Sequence, residues 1–387
     1  MRKEFFAFIR PTDQEIKEVW KSCIFTFDAN ILLNFYRYTN ETTSVFFQLL
    51  DKLIGKIQIT HQACDEYFEN RLNVISEQEH AYSEVKDALE RNVEEPLMNA
   101  RKHPHINDHL LNELTATTKK VKEELDLRSQ EYAKKISNDD ILERILKIFN
   151  SKVGKVFDEE RLLKIYQEGE KRYNENIPPG FKDKKKGGIR QFGDLVLWHQ
   201  MIELSKEHKS DLIFITDDEK DDWLHIHNGK TIGALPALQN EFFKLTGKKI
   251  YLYTASRFIE KAGEYLNADV AKQAIEEVRN LQEEKKLDSF SSFLADEEID
   301  FYLLQAIHEL ENENGWADLA VLGFHLLKYT PINYKKLGFQ SLRQFIESRN
   351  LFETKAIQKS PSAKAVDAVF VKRKPLQSLN LDIPNGN

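Results

Sequence analysis

Asp211-Leu212-Ile213-Phe214-Ile215-Thr216-Asp217-Asp218-Glu219-Lys220-Asp221-Asp222-Trp223 is the stretch on which the fold of this chain turns. Its first half is an apolar, β-branched run that reads as a buried strand. The second half stops that strand abruptly with a crowd of carboxylates. Open α/β sheets gather their ligands where strands give way to the following turn or helix, so acids at such a point suggest a site.

Three further segments repeat the pattern. Cys23-Ile24-Phe25-Thr26-Phe27 reads as a strand, ending at Asp28-Ala29-Asn30 before a helix whose apolar residues are Ile31, Leu32, Phe35 and Tyr36. Lys56-Ile57-Gln58-Ile59-Thr60 reads as a strand running into a helix over 61–71, with Glu66 about one and a half turns in. Phe192-Gly193-Asp194 opens a helix through Leu195, Val196, Trp198 and Ile202, with Asp194 expected at its cap. A strand-end aspartate taken alone is more often a helix cap than a ligand. Here the four acidic stations share one strand-and-helix rhythm, which favours a common site.

Carboxylates that converge repel one another and hold protons at neutral pH unless a hard cation neutralises them. An all-oxygen set suits Mg²⁺ or Mn²⁺, which retain waters and take one or two carboxylates each. Such a centre serves phosphodiester hydrolysis, in which a metal-bound water attacks and a cation stabilises the leaving oxyanion.

The motifs Asp28-x-Asn30, Glu66-Tyr67-Phe68-x-Asn70-Arg71, Gly193-Asp194-Leu195-x-x-Trp198 and Phe214-Ile215-Thr216-Asp217-Asp218-x-Lys220-x-Asp222-Trp223 resemble those of the PIN-like nucleases, over roughly 20–71 and 185–265. The larger bacterial branch, with a long helical insertion between its second and third acidic stations, is the nearest in pattern. The resemblance implies an α/β fold, a three-layer PIN-like domain with a central parallel sheet, and metal-dependent cutting of single-stranded or structured RNA, sometimes DNA. Position by position, Asp28, Glu66, Asp194 and Asp218 match the metal-binding acids. Asp217, Asp221 and Asp222 stay open as sharers of that duty. Asn30 and Thr216 would orient the acids or a metal-bound water. Family resemblance also suggests a role as a toxin or antiviral effector in bacterial conflict.

With 387 residues and 41% apolar content, the chain is long enough for more than one domain and for a sizeable core. A net charge of −7 sits badly with a simple nucleic-acid binder, so local fields rather than the sum must hold phosphate. Cys23 and Cys64 read as buried thiols of a reducing compartment, not as a disulfide or zinc site. No apolar run reaches membrane-spanning length and Met1-Arg2-Lys3-Glu4-Phe5 opens no signal peptide, so a cytoplasmic location without membrane association is expected. The pairs His103/His105 and His225/His227 lack further ligands in register for structural zinc.

Between the second and third stations, roughly 72–180, Leu110, Leu111, Leu114, Val121, Leu125, Ile141, Ile145, Leu146 and Phe149 recur at helical spacing. Helical hairpins or an arch over the site are expected, beside the reading as a solvated scaffold. The insertion ends in a flexible basic loop, where Lys182, Lys184, Lys185, Lys186 and Arg190 are candidates to hold substrate phosphates, with Lys220 between the acids.

A long charged helix over about 268–287 leads into Leu287-Asp288-Ser289-Phe290-Ser291-Ser292-Phe293, which reads as a hinge. The expected domains are therefore 1–290, 291–375 and a flexible tail over 376–387. Beyond the hinge, helices Ile299–Leu310, Trp316–Leu327 and one around Tyr334 to Ile346, then a strand pair, suggest a winged helix. Gly315-Trp316-Ala317-Asp318-Leu319-Ala320-x-Leu322-Gly323 and Leu337-Gly338-Phe339-Gln340-Ser341-Leu342 resemble the OST-HTH or LOTUS domain, whose members bind RNA or protein partners. Lys335, Lys336, Arg343, Lys372, Arg373 and Lys374 would supply phosphate contacts, whereas Trp316, Phe324, Phe339 and Phe345 read as core. The expected activity is metal-dependent endonucleolytic cleavage, with RNA ahead of DNA. The alternative from another class is a non-catalytic nucleic-acid-binding or partner-binding regulator.

Overall fold

The computed structural model describes residues 1–2, 4–98, 107–218, 220–227, 230–293, 296–330, 332–335, 337–349, 351–357 and 368–374. The chain divides into two compact units, Met1–Arg279 and Asn280–Asn387.

The first unit is built on three parallel strands in the order β1-β2-β5. These are β1 (Ile24–Phe27), β2 (Leu212–Ile215) and β5 (Ile250–Tyr253), with β3 (Leu224–His227) and β4 (Lys230–Ala234) forming a separate antiparallel hairpin. Register runs from Ile24 opposite Leu212 to Phe27 opposite Ile215, and from Leu212 opposite Ile250 to Ile215 opposite Tyr253. Every residue of β1 and β2 is buried, as strands covered on both faces must be. Side chains alternate across the sheet, and the aromatic partners mark the two faces. Phe25 and Phe27 pack edge-on against Phe258 of helix Ala255–Tyr265, while Phe214, paired with Thr26, packs against Trp223 on the opposite face. Trp198 of helix Gly193–His208 packs on Trp223 in turn, so helices lie on both sides of a central parallel sheet, as expected.

The expected strand at Lys56–Thr60 is reduced to bridges, from Ile57 to Phe25 and from Ile59 to Val153. Lys56 and Gln58 bond to β1, then Ile59 turns to Lys152 and Gly154. One residue of β1, Phe25, on one side and Lys152 and Gly154 on the other are too few to make a ladder.

The site helix His61–Leu89 continues without a break into the insertion, where it packs against Asp108–Lys135. Tyr82 meets Tyr132 and Glu94, beyond the helix end, meets Lys122, which makes the hairpin antiparallel. Ile141, Ile145 and Phe149 of helix Asp140–Phe149 are buried as expected, but Leu110, Leu114, Val121 and Leu146 are exposed. Their periodicity marks a helix face that has no core to cover. His103 and His105 lie outside the described residues.

No expected break appears at 287–293, because Lys272–Phe293 forms one helix. The segment holds serines and an aspartate but no Gly or Pro to stop it. The second unit has helices Asp296–Leu310, Leu319–Tyr329 and Leu342–Glu347 over a three-stranded sheet ordered β6-β8-β7. Its strands are β6 (Ala317–Asp318), β7 (Phe352–Ile357) and β8 (Ala368–Arg373). The architecture is that of a winged helix, with Leu303, Ile307, Leu322, Leu326, Phe345 and Val371 in its core.

Two expected helices in this unit shorten for local reasons. Ala317 and Asp318 pair with β8, so their helix starts at Leu319 under an Asp318 cap. Gly338, at φ 91°, interrupts the third, which starts after Ser341. The tail over 376–387 and Lys336 lie outside the described residues.

Candidate metal centre

Asp28 occupies the N-cap position of helix Ala29–Asn34, yet its side chain makes no cap hydrogen bond. Instead its Oδ2 accepts from the Thr216 hydroxyl at 2.6 Å and from the Asn30 amide at 2.7 Å. Asn30 also donates to Thr216 at 3.3 Å, which closes a triangle between the ends of β1 and β2. The cap reading of Asp28 therefore fails, and both expected orienting residues touch the acid they were expected to orient.

Glu66 is aimed by its helix, which Thr60 caps by accepting from the Ala63 N–H. The Gln62 side chain donates to Glu66 Oε1 at 2.8 Å, and the Gln62 N–H donates to Gln200 at 2.8 Å on the neighbouring helix Gly193–His208. Asp194 lies in the first turn of that helix, one residue inside its start rather than at the cap. Gly193 permits the approach, since a Cβ there would meet Glu66 Oε1 at 3.0 Å. Trp223 Nε1 donates to Asp194 Oδ2 at 3.2 Å.

Lys220 stands among the acids. Its ammonium lies 2.8 Å from Asp218, 3.0 Å from Asp183 and 3.4 Å from Asp194. Asp183, buried and also paired with Lys186 at 2.6 Å, is a site residue that the sequence reading missed. It sits within a run of lysines, and only its spacing after Pro178-Pro179-Gly180 hints at a fixed position.

Burial, reinforced by the negative charge of Glu66, pushes the Asp28 carboxyl up to about 8. The Thr216 hydrogen bond works against that rise, and Asp218 and Asp194 add to it. Burial likewise raises Glu66, with Asp194 contributing, and raises Asp218 against the pull of Lys220. Burial alone would lower Lys220, but Asp194, Asp218 and Asp183 outweigh it and hold the ammonium charged far above its usual range. The four acids thus lie within Coulombic reach of one another. Each also keeps one oxygen, Oδ1 of Asp28, Asp194 and Asp218 and Oε2 of Glu66, that accepts no hydrogen bond among the described residues.

The neighbouring acids have further partners, although Oδ1 of Asp222 is buried and accepts no hydrogen bond among the described residues. Asp217 accepts from the Ala255 N–H at 2.9 Å and from Asn34 at 3.0 Å, so both its oxygens are engaged. Fully buried Asp222 accepts from the N–H groups of Gly180 and Lys182 at 3.0 and 3.2 Å, and burial pushes it up to about 6. It pins a segment that was expected to be a flexible loop and is instead two short 3₁₀ helices, Phe181–Lys186 and Ile189–Phe192. Gly180 has φ +89°, and a Cβ there would meet the Tyr173 hydroxyl at 2.4 Å and Asp194 Cβ at 2.9 Å. Asp221 is exposed and pairs with Lys182 at 3.1 Å.

The basic candidates are mostly paired as well, Lys184 with Asn174, Lys186 with Asp183 and Arg343 with Glu347. Lys185, Arg190 and Lys335 are exposed. In the second unit Phe345 is buried with Phe339 against it, as expected, but Phe324 is 66% exposed and Trp316 lies outside the core. The Trp316 ring is covered by Lys355 at 4.0 Å and Lys372 at 5.7 Å. It precedes a strand rather than riding a helix, so helical spacing misassigned it.

Among the described residues, no three or more Asp, Glu, His or Cys side chains form a ready-made metal cage. The donor set still fits a hard divalent cation, because it is all oxygen, half unoccupied by hydrogen bonds, and two of its acids already share the positive charge of Lys220. No helix among the described residues is long and apolar enough to cross a membrane.

A family model described as PIN like domain matches residues 24–238, more than half of the chain, and one described as OST-HTH/LOTUS domain matches residues 296–362. No curated protein and no solved structure matches the chain.

Proposed function

We propose, from the premise that this chain belongs to the PIN-like domain family, that it is a Mg²⁺- or Mn²⁺-dependent endonuclease acting on RNA. PIN-like domains are in general nucleases, and LOTUS domains are associated with RNA binding. The observation that carries the reading is the set of four acids from four distant segments, each fixed through one oxygen and open at the other.

Asp28, Glu66, Asp194 and Asp218 would hold the cation, which supplies an activated water and charge neutralisation at the scissile phosphate. Asn30 and Thr216 engage Asp28 Oδ2 and would leave Oδ1 for the cation. Gln62 does the same for Glu66, and Trp223 for Asp194. Lys182, Lys184, Lys185, Lys186 and Arg190 would meet the phosphates that lead to the site. The second unit, through Lys335, Lys336, Arg343 and the Trp316 face, would hold single-stranded RNA or a protein partner.

The test is cleavage of labelled single-stranded RNA, structured RNA and DNA in Mg²⁺, Mn²⁺ or EDTA, by wild type and Asp194→Asn. Metal-dependent cutting of RNA that the variant lacks is expected. Binding with no cleavage under any metal would instead favour a non-catalytic regulator, and cutting of DNA alone would move the substrate class.

A further inference from the structure

We propose that Lys220 is a tethered counter-ion of the acidic centre: its ammonium holds Asp194 and Asp218 together in the metal-free protein and withdraws onto Asp183 when a divalent cation binds. This inference rests on the metal-dependent reading above.

The geometry that points to it is the sharing of one ammonium among three carboxylates at 2.8, 3.0 and 3.4 Å. Two of those carboxylates belong to the four stations and one does not. An ammonium has three donors and no acceptor, so it can satisfy all three partners at once but cannot stay between two of them beside a dication. The two station acids do not depend on it for their aim. Asp194 keeps the Trp223 indole at 3.2 Å on the same oxygen, and the Asp218 N–H is held by Thr216 at 3.0 Å. Asp183 stands ready to retain the lysine, since it is buried in the segment that Asp222 pins and Lys186 anchors it from its other oxygen. Asp183 is thus a positioning residue, and the distance the ammonium must move is no more than the slack of a four-carbon stem.

Two consequences follow for metal affinity. Lys220 competes with the cation for Asp194 and Asp218, so its removal should tighten binding. Asp183 supplies the place to which the lysine retreats, so its neutralisation should weaken binding. A lysine that serves only to hold the fold predicts the opposite sign for its own removal, since its loss would loosen the acids and weaken the metal.

The experiment is Mn²⁺ binding to the full chain without substrate, by electron paramagnetic resonance of free Mn²⁺ and by calorimetry, at one pH near neutrality, with circular dichroism to check folding. Lys220→Met should bind Mn²⁺ at least about tenfold tighter than wild type. Lys220→Arg, which keeps the charge, should stay within about threefold of wild type, and Asp183→Asn should bind about threefold or more weaker. Unchanged or weaker binding by folded Lys220→Met overturns the inference. If that variant does not fold, Asp183→Asn decides, with unchanged or tighter binding overturning it. Wild type that binds Mn²⁺ normally while the variants show no such signs loses only this inference. Absence of Mn²⁺ binding in wild type and Lys220→Met alike overturns it together with the metal-dependent reading.

Discussion

Two buried polar clusters in the first unit make opposite use of the same chemistry. Around Asp139, both carboxylate oxygens are taken: Oδ1 accepts from the Leu142 N–H, and Oδ2 from the Tyr36 hydroxyl and the Arg71 guanidinium. Tyr36 is further bonded to Tyr67 at 2.8 Å, one residue from Glu66. In the acidic centre, by contrast, like charges face one another and half of the carboxylate oxygens accept nothing. The first cluster joins the site helix that carries Glu66 to the turn after helix Ala29–Asn34 and to the cap of helix Asp140–Phe149, and the second is left incomplete among the described residues. A satisfied polar network fixes structure, while an unsatisfied one kept in place by its surroundings marks a site.

The largest effect should come from neutralising a station. Asp28→Asn and Asp194→Asn should each lower RNA cleavage roughly a thousandfold or more. The thermal unfolding midpoint of Asp28→Asn should equal or exceed that of wild type, because the cost of burying that carboxyl among like charges is gone. A midpoint that falls with activity would erase the contrast between the clusters. The mirror experiment is Asp139→Asn, which leaves Arg71 without its charge partner and should cost about 3 kcal/mol of stability in denaturant unfolding. Retained stability there would mean that the network is dispensable.

How much of this was legible beforehand follows from where each signal lies. The expected succession of strand, acid and helix was readable and holds in full at Asp28, whereas Glu66 follows isolated bridges, Asp194 a 3₁₀ turn, and Asp218 precedes the hairpin of β3 and β4. Asp28, Glu66, Asp194 and Asp218 do come within electrostatic reach. The separate partners of Asp217 and Asp222 were not readable, since they lie 38 to 42 residues away, Ala255 for Asp217 and Gly180 for Asp222. Asp183 was hidden by its lysine neighbours, whose charge dominates the local composition although the folded chain turns the acid inward. The hairpin of β3 and β4 escaped notice because His225-Ile226-His227 shows alternation over too few residues.

A smaller effect separates the clusters by pH. An acid whose pKa is higher in the folded chain binds more protons there, so its contribution to stability is complete below the ordinary aspartate value and is lost as pH rises through the folded value. For Asp28 that window runs from 3.8 to about 8, and the raised Glu66, Asp218 and Asp222 act in the same direction. Metal-free wild type should therefore lose about 2 kcal/mol between pH 5 and pH 8. Asp28→Asn should flatten that slope, and saturating Mn²⁺ should abolish it. A slope unchanged in Asp28→Asn would place the titrating group elsewhere.

The smallest effect extends the comparison to the second unit, where satisfaction and incompleteness meet on one ring. Trp316 is screened from solvent by Lys355 and Lys372, so the indole is satisfied as a cation–π partner yet offers a face once those ammoniums find phosphates. Stacking of one base contributes about 1 kcal/mol or more, so Trp316→Ala should weaken single-stranded RNA binding about fivefold without altering its salt dependence. Lys355→Gln with Lys372→Gln should instead make the salt dependence shallower, because each phosphate contact releases counterions. If Trp316→Ala leaves affinity intact and lowers the unfolding midpoint, the ring belongs with Asp139 among the groups that hold structure. If affinity falls and the midpoint stays, it belongs with the acids among those that await a ligand.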